Sequence, residues 1–389
     1  MTVFVAIEQH FSEYEGHIYT DIAFSYQYWK EYSSVFDEVR PIARVQKVDE
    51  LPSDWQRADG PGVIFMKVRN YLGFWDFLKK FCGVLMDTYR VTCSKGCYLL
   101  RMGNISTFCW IWLFLKRRPY AFEVVGHAGK SVLMVKNVQE FGLAKLIASI
   151  NHMLTRLQAK FAQCCSYTSQ YVRGLYPSSN KANEWVFSSV KLDESVITSV
   201  RPVDSFRVKP FHIVSIGRLE PEKGHAVLID ALANLNKINP GFTAKIIGPG
   251  KEIDNLKHQV NKLGLTGKVE VSAAIPWGQQ LFEELDKAHL FILPSITEGM
   301  PRALIEAMAR GLPAIGSDTG GIKELLSKKY LIPPDDVGAL AHKIAEIIDN
   351  PQELAAMSKA NLSKALEYRP EIMNQRKIEF WQFIKNNCC

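Results

Sequence analysis

The sequence predicts an α/β protein built from two Rossmann-like domains that face each other across a cleft. Three observations carry this. The chain has 389 residues, more than one hydrophobic core usually organises, since single cores stop growing near roughly 250–300 residues. From Phe211 onward, short apolar runs alternate with helical stripes of ten or so residues, the signature of βαβ units and a parallel sheet. The first half alternates in the same sense, less regularly. The expected division is 1–205, 206–368, and a last segment, 369–389, forming a helix that returns to the first domain.

In the first domain the expected strands are Val3–Ile7, Val35–Val45, Val63–Val68, Tyr98–Met102, Ala121–Val125 and Ser166–Ser169, with one long helix from Phe141 to Cys164. Val200–Pro210, bearing Pro202 and Pro210, is the expected linker. In the second domain Phe211–Ile216 is a strand ended by Gly217. His225–Lys237 is a helix with Val227, Leu228, Ala231, Leu232 and Leu235 on one stripe. Strands follow at Thr243–Ile247, Val269–Val271, Leu290–Leu293 and Pro313–Gly316, separated by helices at Ile253–Leu263, Gln279–Ala288 and Pro301–Arg310. The last of these has Pro in its first turn and Gly311 just past its end. Gly321–Leu326 opens another helix. Pro370–Asn387 is helical and apolar at Ile372, Ile378, Phe380, Trp381 and Ile384.

Composition excludes several classes. Charged residues make up 22% of the chain and hydrophobic ones 47%, which is neither disordered nor fibrous. No apolar run reaches the roughly 18–20 residues needed to span a bilayer. Met1–Glu8 has no basic region and meets an acid at once, so it is expected to be a first strand rather than a signal peptide, and the protein is expected in the cytoplasm. Eight cysteines form no evident disulfide framework and are expected as free thiols in a reducing compartment. The terminal Cys388-Cys389 does not match the prenylation motif, which sets its Cys four residues from the end.

The net charge of +7 is concentrated. Between Lys67 and Arg118, ten cations face only Asp76 and Asp87, a local balance of +8, and Trp75, Phe77, Trp110 and Trp112 are interleaved. Such a segment suits an anionic membrane surface and a peripheral location. The alternative is a pair of core helices with solvated basic ends, and periodicity does not separate the two. No nucleic acid partner is expected.

Three loops carry the chemistry, because ligands of open α/β sheets bind at the carboxyl edges of the strands. Gly217-Arg218-Leu219-Glu220-Pro221-Glu222-Lys223-Gly224 sets two cations five residues apart before a helix N-terminus, which suits a diphosphate. Glu220 and Glu222 could instead satisfy both cations locally. In Ser295–Glu306, Glu298 lies in the loop after a strand, while Glu306 sits on the following helix among Leu304, Ile305, Ala307 and Met308. A buried acid there must be paired or bind hydroxyls. Backbone N–H groups near Arg302 and Ala303 are free to meet a phosphate. Gly316-Ser317-Asp318-Thr319-Gly320-Gly321 is a glycine-rich turn, as often an ordinary βα turn as a ligand loop.

Taken together, Gly-Arg-Leu-x-x-x-Lys-Gly at 217–224, Pro-Ser at 294–295, the Glu-x7-Glu pair of Glu298 and Glu306, Gly-Leu-Pro-Ala at 311–314 and Thr-Gly-Gly-Ile-x-Glu at 319–324 closely resemble the family 4 glycosyltransferases, retaining enzymes with the GT-B fold. The resemblance spans about Phe211 to Tyr368. It implies a metal-independent hexosyltransferase without a cofactor. The enzyme would take a UDP- or GDP-sugar and act on a glycan or lipid-linked acceptor of polysaccharide biosynthesis. It implies that Arg218 and Lys223, after Gly217, bind the donor diphosphate, that Glu298 contacts the donor sugar, and that Glu306 holds the ribose. Backbone from Gly299 through Met300 and Arg302 to Ala303 would touch sugar and phosphate, and backbone near Ile275 the base. His127, after a first-domain strand, is the implied histidine beside the reacting carbon; the alternative is a loop histidine with no role. Gly16 is the one residue available for the family's glycine-rich loop after the first strand. Rival readings are a glycoside hydrolase using Glu298 and Glu306, a nucleotide-sugar epimerase of the same fold, and a non-catalytic sugar or membrane adaptor.

Overall fold

The computed structural model describes residues 1–21, 23–128, 144–190 and 192–388. In the first domain the elements run β1 (Thr2–Tyr14), β2 (His17–Thr20), α1 (Tyr26–Lys30), β3 (Glu38–Lys47), β4 (Gln56–Arg57), β5 (Met66–Arg69), α2 (Gly73–Val91), β6 (Cys97–Arg101), α3 (Asn104–Leu115) and β7 (Ala121–Val124). They continue with α4 (Ala144–Phe161), β8 (Cys164–Tyr167), α5 (Gln170–Leu175) and β9 (Glu184–Val186). Its parallel core is ordered β5-β3-β1-β6-β7-β8-β9, with β2 and β4 added antiparallel at the end of β1.

The second domain holds β10 (Phe211–Ile216), α6 (His225–Ile238), β11 (Phe242–Ile247), α7 (Ile253–Lys262), β12 (Val269–Ser272), α8 (Gln279–Lys287), β13 (Leu290–Leu293), α9 (Arg302–Ala309), β14 (Ala314–Ser317), α10 (Ile322–Leu325), β15 (Leu331–Ile332), α11 (Val337–Ile348) and α12 (Pro351–Ala365). Its sheet is wholly parallel, ordered β12-β11-β10-β13-β14-β15. All four residues of β13 are buried, because helices cover both faces of the strand.

Several first-domain boundaries differ from the sequence reading, each for a local reason. β1 does not stop at Ile7. It bulges between Ala6 and His10 and runs on into a hairpin with β2. Val35 and Phe36 close a 3-10 turn, so β3 begins at Glu38. Val63 makes only isolated bridges, to Val39 and to Gly60, and the next strand starts at Met66. Ser169 cannot end β8, because its hydroxyl accepts the Val172 amide as the N-cap of α5. Residues 141–143 of the expected long helix lie outside the described residues; α4 ends at Phe161, and Cys164 already belongs to β8.

The crossover comes earlier in the chain than Val200–Pro210. β9 ends at Val186, and Val190, Leu192 and Val196 are already buried in the second domain's core. The last helix, α13 (Pro370–Asn387), returns to the first domain. It buries Phe380, Trp381 and Ile384 in the core that holds Trp29, Tyr32 and Leu99. Trp381 stacks on Tyr32 with ring centroids 4.1 Å apart, and Lys377 Nζ reaches Glu31 at 2.6 Å. The eight thiols are not all free, since Cys97 in β6 is disulfide-bonded. Among the described residues, no helix is long and apolar enough to cross a membrane.

Candidate active site

The site is built where the carboxyl ends of β10 and β13 meet the loop after β7. At the end of β10, close backbone approach selects glycine. A Cβ on Gly248 would stand 1.8 Å from the Gly217 carbonyl oxygen, and one on Gly224 would stand 2.1 Å from that of Pro294. Gly224 also has φ +67°, the left-handed conformation that lets the chain turn into α6. The 3-10 turn Pro221–Lys223 therefore lies directly against the β13 loop.

That approach decides where the cations go. Lys223 does not pair with Glu220 or Glu222; its ammonium donates to Glu298 Oε1 at 2.6 Å, and both side chains are largely buried. The Ser295 hydroxyl donates to the same oxygen at 2.7 Å. Arg218 is 62% exposed and, among the described residues, pairs locally with Glu222 at 2.7 Å, so it can swing toward a ligand at little cost. His225, at the start of α6, is buried. Burial first, then the neighbouring Lys223 charge, pushes its pKa down to about 4, so it is neutral at pH 7.

The third loop is a platform for the second. Gly320, at φ +54°, has no room for a Cβ, which would stand 2.0 Å from the Glu298 carbonyl oxygen. The Gly321 amide donates to the Gly299 carbonyl at 2.9 Å. This close stacking accounts for the two glycines by packing. Gly299 in turn touches the first domain, since a Cβ there would lie 2.9 Å from the Val125 carbonyl oxygen.

A cavity of about 490 Å³ results, and His127, Arg218, Lys223, Glu298 and Gly299 all line it. The His127 loop is held by a residue the sequence did not single out. The Ala128 amide donates to the Tyr176 hydroxyl at 3.0 Å, and that hydroxyl lies 2.9 Å from His152 Nδ1. Burial, then Arg156, lowers the His152 pKa, which favours the neutral ring. Glu324, from α10, reaches across the cleft and accepts the Gln170 and Tyr171 amides at 3.0 and 2.6 Å, which closes the N-terminus of α5.

Glu306 lies within α9, largely buried, and desolvation raises its pKa against the opposing effects of Arg302 and a Trp277 hydrogen bond. Trp277 is half-exposed beside it and was not legible from spacing. Ile275 and Met300 are half-buried against the second-domain core, as is Ala303, while Arg302 stays exposed at the start of α9.

Gly16 is not brought to this site. With Glu15 at φ 49° and Gly16 at φ 82°, it forms the tip of the β1–β2 hairpin, where a tight turn needs positive φ. At the place expected for a glycine-rich loop, Glu8 accepts the Ile105 amide at 2.9 Å and so caps α3; it also takes the Tyr71 hydroxyl at 2.6 Å. The aromatic residues of the Lys67–Arg118 segment also divide. Trp110 is buried, Phe77 packs on the core, and Trp112 donates to the Leu85 carbonyl at 3.1 Å, whereas Trp75 is exposed. Among the described residues, no three His, Cys, Asp or Glu side chains converge as metal ligands.

A second cavity, of about 470 Å³, opens at the edge of the first sheet. Phe24, Tyr28, Arg101, Glu123, Trp381 and Arg302 are among its walls, so it touches both domains and α13. The Arg101 guanidinium donates to the Tyr28 hydroxyl at 3.1 Å and lies over the Phe24 ring.

Residues 197–364 match the family described as glycosyl transferases group 1. The chain is 31% identical over 333 residues to a protein of Salmonella typhimurium named as colanic acid biosynthesis glycosyltransferase WcaL, covering 78% of this chain and 81% of that one. It is 27% identical over 388 residues to Protein CapJ of Staphylococcus aureus, 92% of each chain. Among solved structures, Anabaena HepE in complex with UDP-glucose superposes with a TM-score of 0.63 at 18% identity, over 97% of this chain and 98% of its own.

Proposed function

The chain belongs to the group 1 glycosyltransferases and has the GT-B fold, and within that family we propose that it is a retaining hexosyltransferase of polysaccharide biosynthesis. It moves a sugar from a UDP- or GDP-sugar to a glycan or lipid-linked acceptor. It works without a metal or cofactor, peripherally at the cytoplasmic face of a membrane. The observation that carries this reading is the convergence of His127, Arg218, Lys223 and Glu298 on one cavity between the domains.

Leaving-group departure creates charge on a nucleoside diphosphate. Lys223 and Arg218 stand where that charge develops, and groups fixed before the reaction lower its barrier most. Among the described residues, Lys223 and Ser295 both bond Oε1 of Glu298, which leaves Oε2 to accept a donor-sugar hydroxyl. Glu306, largely buried beside Trp277, is the ribose-side acceptor, with the backbone near Ile275 at the base. Backbone from Gly299 to Ala303 lies along sugar and phosphate. His127, on the opposite wall, meets the sugar near the reacting carbon. The departing phosphate takes the acceptor's proton on the same face, so the bond to the acceptor forms where the bond to phosphate breaks. The second cavity, walled by aromatic rings and Arg101, suits a polyhydroxylated acceptor.

The test is incubation with a panel of nucleotide sugars, UDP-glucose first, while nucleoside diphosphate release is followed with and without glycan acceptors. Failure to turn over any UDP- or GDP-hexose would sink the reading.

A further inference from the structure

Away from the cleft, the outer helices of the first domain carry a second apolar face. α2 turns Val84, Thr88 and Val91 inward, yet its outer stripe is Trp75, Leu78, Cys82, Met86 and Tyr89, all exposed. α4 turns Ala148, Thr155 and Ala159 inward and exposes Leu146, Ile150, Met153 and Phe161. Both outer sets follow helical spacing, and a helix facing only water would be polar there. α3 packs between the two helices, and its exposed end joins them: the Phe114 ring lies 5.3 Å from that of Phe161. Beside this pair, Arg117, Arg118 and Lys160 line an open groove of about 950 Å³.

The charges on this face have one sign. α4 holds Lys145, Arg156 and Lys160, all exposed, and no acidic residue. Exposed Lys79, Arg90 and Arg117 add to them. The two acids of α2 are neutralised in place, Asp76 by Lys80 at 2.9 Å and Asp87 by Arg69 at 2.8 Å. Apolar stripes flanked by long cations with no acidic partner among the described residues match the interface of an anionic bilayer, where rings and aliphatic chains sink and the cationic heads reach the phosphates.

We propose that the α2–α3–α4 face docks the enzyme on an anionic lipid bilayer, with Arg117 and Lys160 meeting lipid phosphates at the groove. This deepens the peripheral-membrane part of the proposed function and rests on it. It also relocates the surface: Trp110, interleaved in the basic segment, belongs to the core, and Trp112 is half-buried, with its indole N–H bonded to the Leu85 carbonyl and its ring against Tyr89, while α4, outside that segment, supplies half of the face.

The full chain is co-sedimented at low salt with vesicles of phosphatidylcholine alone and with about 30 mol % phosphatidylglycerol. Binding is expected to rise at least about tenfold with the anionic lipid and to weaken with added salt. The double variants Leu146→Gln/Ile150→Gln and Arg117→Glu/Lys160→Glu, checked for native circular dichroism, are each expected to lose about tenfold or more of it. Equal binding to both vesicle types overturns the proposal, as does undiminished binding by both variants. So does a self-associated species that the variants dissolve without any vesicle binding. Donor turnover in lipid-free buffer reads the transfer reaction separately. Charge-dependent vesicle binding by a chain that turns over no donor would support this surface while removing the proposed reaction.

Discussion

Replacing Lys223 by Ala tests both the fold and the chemistry of the site, and the two effects can be separated. In the folded protein the ammonium lies 2.6 Å from Glu298 Oε1, with side-chain exposures of 16% and 9%. Its removal leaves a nearly buried carboxylate supported mainly by the Ser295 hydroxyl. Breaking a fully buried pair costs about 3–5 kcal/mol. Because Ser295 remains and water reaches Lys223, a cost of about 1–3 kcal/mol is expected, or roughly 2–10 °C in Tm for a domain of this size. Lys223→Ala/Glu298→Gln should recover most of that loss, since no unpaired charge is left behind. Turnover should behave differently. Loss of a charge-assisted contact to the departing diphosphate is worth about 1.5–3 kcal/mol, so kcat should fall roughly 10- to 150-fold in the single variant. The double variant should not regain it, because it also lacks the sugar-binding carboxylate. The assays are thermal unfolding and steady-state release of nucleoside diphosphate from the donor that the panel identifies. Wild-type kcat/KM in Lys223→Ala would refute the diphosphate assignment, and a Tm unchanged in the single variant would refute the buried-pair energetics.

Arg218→Ala should cut turnover at least about tenfold while leaving Tm nearly unchanged, because its observed ion pair with Glu222 is exposed and worth little; a stability loss comparable to that of Lys223→Ala would contradict this. Activity should persist in excess chelator, and full loss restored by magnesium or manganese would remove the metal-independent mechanism. The first product, followed by proton NMR, should keep the donor's anomeric configuration, and His127→Ala should slow kcat more than it weakens nucleotide binding measured by calorimetry. Stability should fall as pH drops from about 6.5 toward 4. His225 and His289, both depressed to about 4 by burial, bind protons in the unfolded chain over that window but not in the folded one. Each contributes up to about 3 kcal/mol of that loss. Denaturant unfolding of His225→Phe should show a shallower decline between pH 7 and pH 5, and an equal slope would place the acid sensitivity elsewhere.

The second domain was the more legible half because its strands are short, buried and punctuated. Gly217 follows β10, Gly248 follows β11 and Pro294 follows β13, so the apolar runs stop where the strands stop. In the first domain, the apolar run of β1 stops at Ile7, yet the strand continues past its bulge to Tyr14, paired in parallel with β3 as far as Glu13 and already in a hairpin with β2, so the run does not mark where the strand ends. Segment Phe108–Leu115 reads as one apolar mass in sequence. Only packing divides it into a core side, with Phe108, Trp110 and Leu113, and an exposed end, with Phe114 and Leu115.

By itself the sequence determined that there are two α/β domains, that the cations of 218–223 precede a helix N-terminus, and that Glu298 and Glu306 stand eight residues apart around the start of α9. These are properties of local spacing, which a strand–turn–helix unit converts directly into position. The tertiary structure alone decided the partners. Lys223 is nearer in sequence to Glu220 and Glu222 than to Glu298, yet Gly224 lets the loop lie on Pro294 and brings Glu298 within hydrogen-bond reach. His127 joins the site because Gly299 has no side chain to hold the Val125 backbone away, and Gly16 stays outside because β1 turns into a hairpin instead of a ligand loop. Contacts between residues far apart in the chain depend on how closely two backbones can approach, and that distance is set by the packed sheets rather than by either segment alone.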